Sequence, residues 1–332
     1  MSERRTVLIT ARFFDTQAID AIRAHGFDIL TGGMAFDGVD STITEEMNLA
    51  LQKCSAWIMG IPPIDRAVLE RYPNLQVLAR RGVGYDSIDV QAVKDLGRVL
   101  TVTPGSNEPT VADHTVGLML SVGKRFFESH SRMQSGVKTS VVGRELYGKT
   151  VGLIGLGRIA RLVARRLSGF DVRVLAHDPY ATQDVAKDAG VEMVGLDELF
   201  KQSDFISLHA PLTEKTRHLI NAKTLKQMKP EAILINTARG ELVDDAALLT
   251  ALKTGNLAGA GLDVLGSERD KSLESITNEL LALPNVVCTQ HTGGSSHEGL
   301  ARANMLAAQC VIAGLNGSPV LAGCIVSDGR GC

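Results

Sequence analysis

Residues 152–160 read GLIGLGRIA, between the apolar run TVGLI at 150–154 and the helix-like RLVARRL that follows. Ala160, Val163, Ala164 and Leu167 fall on one side of that helix. Strand, glycine turn and helix start in this order form a dinucleotide-binding turn. Gly155 allows the sharp turn, Gly157 lets the backbone approach a pyrophosphate, and Ala160 is small enough for helix to pack closely on strand. The unpaired N–H groups of the first helical turn, where Arg158 and Ile159 lie, then face the phosphates. The next strand, DVRVLAH, ends at Asp178, 23 residues after Gly155. A carboxylate there accepts hydrogen bonds from both ribose hydroxyls and repels a 2′-phosphate. Only Pro179 and Tyr180 follow, with no Arg directly after, so NAD is the expected cofactor.

Outward from this turn the chain alternates short apolar strands with longer amphipathic segments. Before it stand TVLIT with TQAIDAIRAHG, AWIMG with DRAVLERYP, and LQVLAR with IDVQAVKDLG; after it come FISLHA, AILINTA, AGAGLDV and VVCTQ. Such alternation predicts α/β architecture on parallel sheets. At 332 residues the chain exceeds one ordinary core and suits two domains. A Pro/Gly/Ser break at 103–109 precedes one long apolar-periodic helix, TVADHTVGLMLSVGKRFFESH. A second break follows His291, and 298–315 read as a final helix that packs back on the N-terminal part. The expected organisation is therefore discontinuous: an outer domain of residues 1–107 and 296–332, with 108–295 inserted as the nucleotide domain. The terminal SDGRGC reads as a frayed end.

Composition narrows the function classes. The 35 basic and 37 acidic side chains offer no broad attraction to nucleic acid or to anionic membrane. No apolar run approaches the ~18 residues of a membrane helix. The N-terminus lacks the pattern of a signal peptide. Five cysteines, without CxxC spacing, read as reduced thiols of a cytoplasmic protein, and no metal site is expected.

RRGVGYDSID, NEPTVADHTVGLML, GLIGLGRIA, HAPLTEKTRHLIN, INTARGELVDDAAL, GAGLDV and TQHTGGSS occur in this order along nearly the whole chain. In them the chain resembles the D-isomer-specific 2-hydroxyacid dehydrogenase family, which includes phosphoglycerate, hydroxypyruvate and glyoxylate dehydrogenases. The resemblance implies two doubly wound parallel-sheet domains, a Rossmann-type domain inserted into a flavodoxin-like substrate domain. It also implies a catalytic Arg in NTARG, a Glu five residues after the Asp of LDV, and a His before TGG: Arg239, Glu268 and His291. The residue types suit the chemistry. Oxidising a 2-hydroxy acid needs a base for the hydroxyl proton, a cation for the carboxylate and a hydride acceptor. His291 ends an apolar run before a Gly pair and fits the acid/base role. A paired Glu268 favours its imidazolium, and the planar fork of Arg239 grips the carboxylate. One departure falls here: where the family has an aromatic residue, an acid and a Pro after LDV, this chain has Leu265 and, at the Pro position, Arg269.

Further motif positions suggest contacts. The amides of Val83 and Gly84 are expected at the substrate carboxylate, while Ala210, Pro211, Thr237, Asp263, Gly293 and Gly294 are expected along the cofactor, Asp263 at the nicotinamide amide. His114 and His209 read as structural or cofactor-shell groups. IMGIPPIDR after the third strand lacks a phosphate-gripping Arg, with Arg80 and Arg81 as remaining second cations. The expected substrate is thus a small unphosphorylated 2-keto or 2-hydroxy acid such as hydroxypyruvate or glyoxylate. The family implies a homodimer, through an arm at 110–147. The alternative is an NAD(H)-sensing, corepressor-like binding protein with little turnover.

Overall fold

The computed structural model describes residues 4–31, 43–60 and 62–330. It contains two compact units, residues 1–107 with 295–332, and residues 108–294. The first unit holds β1 (Thr6–Ile9), β2 (Asp28–Thr31), β3 (Ala56–Met59), β4 (Val77–Arg80) and β5 (Val99–Thr101). The second holds β6 (Thr150–Ile154), β7 (Arg173–His177), β8 (Glu192–Met193), β9 (Phe205–Leu208), β10 (Ile233–Asn236), β11 (Gly259–Leu262) and β12 (Val286–Cys288). The last strand, β13 (Ile325–Asp328), returns to the first unit.

In the first unit the order is β13-β5-β4-β3-β1-β2, parallel except for β13, which runs antiparallel to β5. The parallel part has the flavodoxin-like 2-1-3-4-5 order. All four residues of β3 are buried, as expected of a strand covered on both faces. Trp57 there donates its indole N–H to Thr10 Oγ1 at 2.9 Å, which satisfies the polar end of the largest buried side chain. Asp15, Asp65 and Asp89 cap helices that begin at Thr16, Arg66 and Val90, each accepting the backbone N–H three residues on. The helix His297–Leu315 places Ala307, Ala308, Val311 and Leu315 in the same core as β1, β3 and β4.

The second unit has the order β12-β11-β10-β9-β6-β7-β8, wholly parallel. Read from β8 this is the Rossmann order, with its reversal between β6 and β9, where such sheets bind ligands outside the strands' carboxyl ends. The helices Glu108–Gly123 and Arg158–Leu167 cover one face, and those at Leu196–Gln202, Asp245–Lys253 and Glu274–Leu281 the other.

Three local expectations need correction. The helix expected through the 110–130 region breaks after Gly123 and restarts at Phe126–Gln134, because Arg125 adopts a left-handed conformation (φ 55°). Gly123 O there accepts the Arg144 N–H at 2.6 Å, which a continuing helix would claim. The terminal SDGRGC is ordered through Arg330. Ser327 and Asp328 lie in β13, Gly329 N donates to Arg98 O at 2.8 Å, and Arg330 pairs with Asp328 at 2.7 Å. The last two residues, Cys332 among them, lie outside the described residues. Finally, β2, β5, β8 and β13 are strands that alternation alone did not mark.

Cys54, Cys288, Cys310 and Cys324 are free thiols. Burial pushes Cys54 and Cys310 up to about 12 and Cys288 to about 11, so all three stay protonated and unreactive at neutral pH. Among the described residues no helix is long and apolar enough to cross a membrane, and no group of three acidic, His or Cys side chains could hold a metal ion.

Candidate active site

Gly155, with φ 91°, leaves β6 so close to the end of β9 that an added Cβ would lie 2.8 Å from Ala210 N and from His209 C. Only glycine meets both the dihedral and the contact. Gly157 then starts the helix Arg158–Leu167 with no side-chain cap, leaving the first-turn N–H groups without that partner. Ala160 is fully buried and Ile159 partly so. Arg158 is turned aside toward Glu108, 3.7 Å away. Asp178 closes the turn: Oδ2 accepts Leu156 N at 2.8 Å, and Oδ1 accepts Tyr180 N at 2.8 Å and Ala181 N at 3.2 Å. A carboxylate has about four acceptor positions, so at least one remains for a ribose hydroxyl. The uncapped helix, the glycine cradle and this carboxylate together fit a dinucleotide. His209, beside the cradle, bonds Ser207 Oγ at 2.9 Å, and desolvation pushes it down to about 4, so it is neutral at physiological pH. Pro211 follows it on the exposed side.

At the end of β10, fully buried Asn236 clamps the turn that carries Arg239. Its side chain accepts Ala238 N at 3.0 Å and donates to Arg239 O at 2.8 Å. Arg239 Nη1 donates to Ala238 O at 2.7 Å, and Thr237 Oγ1 lies 3.0 Å from Thr115 Oγ1. Gly240 touches the backbone of the neighbouring loop, where an added methyl would overlap the Leu265 carbonyl and Gly266 N. Arg269, the departure from the family pattern, pairs with Glu241 at 3.6 Å and ties the same two loops together.

In that loop Glu268 Oε1 accepts Leu265 N at 3.1 Å, while Oε2 lies 2.8 Å from His291 Nδ1. Both side chains are partly exposed. His291 adopts φ 53°, unusual for a non-glycine residue, and its N–H bonds Asp263 O at 2.8 Å. The loop is organised from below by Asp263, which is buried. Its Oδ1 accepts Thr289 Oγ1 at 2.6 Å and Thr292 N at 2.8 Å; Oδ2 accepts Gly293 N at 2.8 Å. His114 Nε2 lies 2.9 Å from Thr289 Oγ1 and 3.4 Å from Asp263 Oδ1. Burial alone would push Asp263 up, yet His114, Thr289 and the Gly293 N–H hold it below the usual carboxylate range. Gly293 has no space for a Cβ, which would sit 2.7 Å from Asp263 Oδ2; Gly294 ends the unit.

Arg239, Glu268, His291, Asp263, Thr237 and Gly293 are thus bound into one set of interlocked loops at the carboxyl edge of β10, β11 and β12. Asn236, Thr289 and the placement of His114 were not singled out by sequence reasoning as parts of this frame. For Asn236 and Thr289 the only local signal is position, at or just past a strand end, while His114 lies within the helix Glu108–Gly123. In the first unit, Arg80 donates from Nε to Gly84 O at 2.9 Å and from Nη1 to Arg81 O, so it shapes the turn carrying Val83 and Gly84. Gly82 in that turn has φ 138° and is anchored through its N–H to Thr103 Oγ1 at 2.7 Å.

Sheet order, glycine cradle and terminal carboxylate define a dinucleotide-binding α/β protein, with the His291–Glu268 pair at the strand edge of the same unit. Residues 116–293 match the family model described as D-isomer specific 2-hydroxyacid dehydrogenase, NAD binding domain. The chain is 41% identical over 257 residues to a glyoxylate reductase of Korarchaeum cryptofilum, covering 76% of each protein. It is 43% identical over 237 residues to a hydroxypyruvate reductase of Thermotoga maritima, covering 71% of this chain and 76% of that protein. Among solved structures, a D-lactate dehydrogenase from Aquifex aeolicus complexed with NAD and lactic acid superposes with a TM-score of 0.82 at 28% identity, covering 97% and 99% of the two chains. The chain belongs to the D-isomer specific 2-hydroxyacid dehydrogenase family, and its cofactor is NAD.

Proposed function

We propose that the protein interconverts a small D-2-hydroxy acid and its 2-keto acid, with hydroxypyruvate and glyoxylate as the first members to assay. The observation that carries this reading is the His291–Glu268 pair. With Nδ1 engaged by Glu268 at 2.8 Å, the imidazole has its tautomer and orientation set, and Nε2 is the nitrogen that exchanges a proton. Neutral His291 takes the hydroxyl proton through Nε2; protonated, it gives that proton to the carbonyl oxygen in reduction. The Glu268 carboxylate stabilises the cation between these states. Arg239, clamped by Asn236, holds the substrate carboxylate and polarises the adjacent carbonyl. NAD, when bound, supplies or accepts the hydride.

Substrate binding is assigned to residues 1–107 and 296–332, and nucleotide binding to 108–295. Within the first, the amides of Val83 and Gly84 are offered to the carboxylate by a turn that Arg80 stiffens. Within the second, Gly155, Gly157, the backbone N–H groups of Arg158 and Ile159, and Asp178 face the pyrophosphate and ribose, while Ala210, Pro211, Thr237, Asp263, Gly293 and Gly294 line the nicotinamide side. Asp263 Oδ2 has one bonded donor and retains an acceptor position for the nicotinamide amide. Exposed Phe126, Phe127, Met133, Val142 and Tyr147 support pairing of two copies through the 110–147 arm. Protonated, unbridged thiols fit the reducing cytoplasm.

The test is oxidation of NADH and NADPH by the purified protein over a panel of 2-keto acids. Turnover is expected with NADH in preference to NADPH, and His291→Ala is expected to lower kcat/KM by about 10²–10⁴-fold while NADH binding persists. Arg239→Ala should act chiefly through weaker carboxylate binding. Full turnover by His291→Ala would refute its role, and tight NADH binding without turnover of any acid would favour a sensor.

A further inference from the structure

One more cation stands where the first unit gathers its ligand-binding loops. Open parallel sheets bind ligands outside the carboxyl ends of their strands. The segments leaving β1, β3 and β4 emerge side by side at that edge, since Ile9 pairs with Ile58 and Met59 with Arg80. The segment after β4 carries Val83 and Gly84; the segment after β1 carries Arg12.

Both Nε and Nη2 of Arg12 are buried, and neither donates to any acceptor among the described residues. These two groups form the side edge of the guanidinium, whose parallel N–H bonds match two oxygens of a carboxylate or phosphate. A dehydrated guanidinium without an acceptor is costly. The adjacent acid is engaged elsewhere: Asp15 Oδ1 accepts Ala18 N at 3.0 Å and Oδ2 accepts Asn304 Nδ2 at 2.7 Å. The loop itself is built around this arrangement. Phe13, next to Arg12, takes φ 54°, and its carbonyl accepts the same fully buried Asn304 amide at 2.8 Å. A strained loop, anchored from the helix His297–Leu315, thus presents a desolvated guanidinium edge. Arg80 at this edge is already spent on the carbonyls of Arg81 and Gly84.

We propose that Arg12 receives a second anionic group, a carboxylate or a phosphate, at the end of the 2-keto acid remote from the reacting carbon, so that the preferred substrates are dianions. The proposal rests on the substrate reading above and deepens it: hydroxypyruvate and glyoxylate are turned over less efficiently than acids with a terminal oxyanion. Strands lie about 4.8 Å apart, so the β1 and β4 loops leave the sheet roughly 10 Å from each other. An arginine side chain and a four- or five-carbon diacid together cover that span.

The experiment compares kcat/KM for matched pairs in wild type and Arg12→Met: oxaloacetate against 2-oxobutanoate, 2-oxoglutarate against 2-oxopentanoate, and 3-phosphohydroxypyruvate against hydroxypyruvate. Wild type is expected to favour the dianion of at least one pair, and Arg12→Met to lower that ratio on the order of 10–100-fold, the worth of a hydrogen bond to a charged group. The pair with the larger wild-type ratio tells carboxylate from phosphate. Arg12→Lys, which keeps the charge but not the fork, should recover only part of the ratio. Because the substitution removes an unsatisfied buried cation, ligand-free Arg12→Met should melt no lower than wild type. A wild-type ratio near one in all pairs, or a ratio unchanged by Arg12→Met, would overturn the proposal. If no 2-keto acid is turned over, the activity reading fails separately, and thermal shifts with glutarate and with inorganic phosphate decide. A shift lost in Arg12→Met keeps the receptor; equal shifts, or none, remove it.

Discussion

Asp245 should make the stability of the nucleotide unit fall with rising pH, and its replacement by Asn should remove that dependence. The residue opens the helix Asp245–Lys253 directly after its cap, Asp244, and is buried; its Oδ2 accepts Gly266 N at 3.1 Å, at the start of the turn that carries Glu268. Burial, first, and the neighbouring carboxylates of Asp244 and Glu241 push Asp245 up to about 6, against the opposing Gly266 N–H and His218. In the unfolded chain the group ionises near its ordinary value of 3.8. Below that value Asp245 is protonated in both states and costs nothing. As pH rises through 6 the native state must ionise a buried acid, and the stability present at low pH is lost. Two pH units at about 1.4 kcal/mol each make the loss about 3 kcal/mol. Asp245→Asn keeps an acceptor for Gly266 N without the charge. Amide hydrogen exchange over residues 245–268 is compared between the two proteins at each pH from 4 to 7.5, so that the intrinsic exchange rate cancels. The protection of Asp245→Asn relative to wild type should rise by on the order of 100-fold across that range. A flat difference, or weaker protection of the variant at pH 7.5, would refute the reasoning.

Two further predictions concern the loops around the His–Glu pair. Gly240→Ala must separate the Arg239 turn from the backbone of residues 265–266, and kcat/KM should fall by at least about tenfold while NADH affinity, measured by fluorescence titration, changes little. Asp263→Asn leaves one of the donors Thr289, Thr292 and Gly293 facing an amide N–H; a loss of about 1–3 kcal/mol in stability, read by denaturant titration, should accompany lower turnover.

Sequence by itself determined the parts of this protein whose physics is local. GLIGLGRIA declares strand, turn and helix start through residues in direct succession, and the turn forms as its glycines require. The alternation of apolar strands with amphipathic helices marks β1, β3 and β4 of the first sheet and all of the second except β8, because burial of a strand on two faces is visible in each of these strands separately. Arg239, Glu268 and His291 were legible through ordered motifs, each at a strand end or in the loop beyond it.

Tertiary structure decided what depends on groups distant in the chain or on the three-dimensional course of a single loop. The break at Gly123–Arg125 combines the left-handed Arg125 with a Gly123 carbonyl claimed by Arg144, 21 residues further on. The 2.8 Å contact of Glu268 with His291 closes over 23 positions only because Asp263 collects Thr289, Thr292 and Gly293 beneath it. Leu265 and Arg269 looked like departures in sequence, yet folding turns Arg269 into a tie to Glu241. Asp245 and Arg12 belong to none of the sequence's candidate sites. What gives them their chemistry is desolvation, a property of the surrounding packed atoms that no single segment contains.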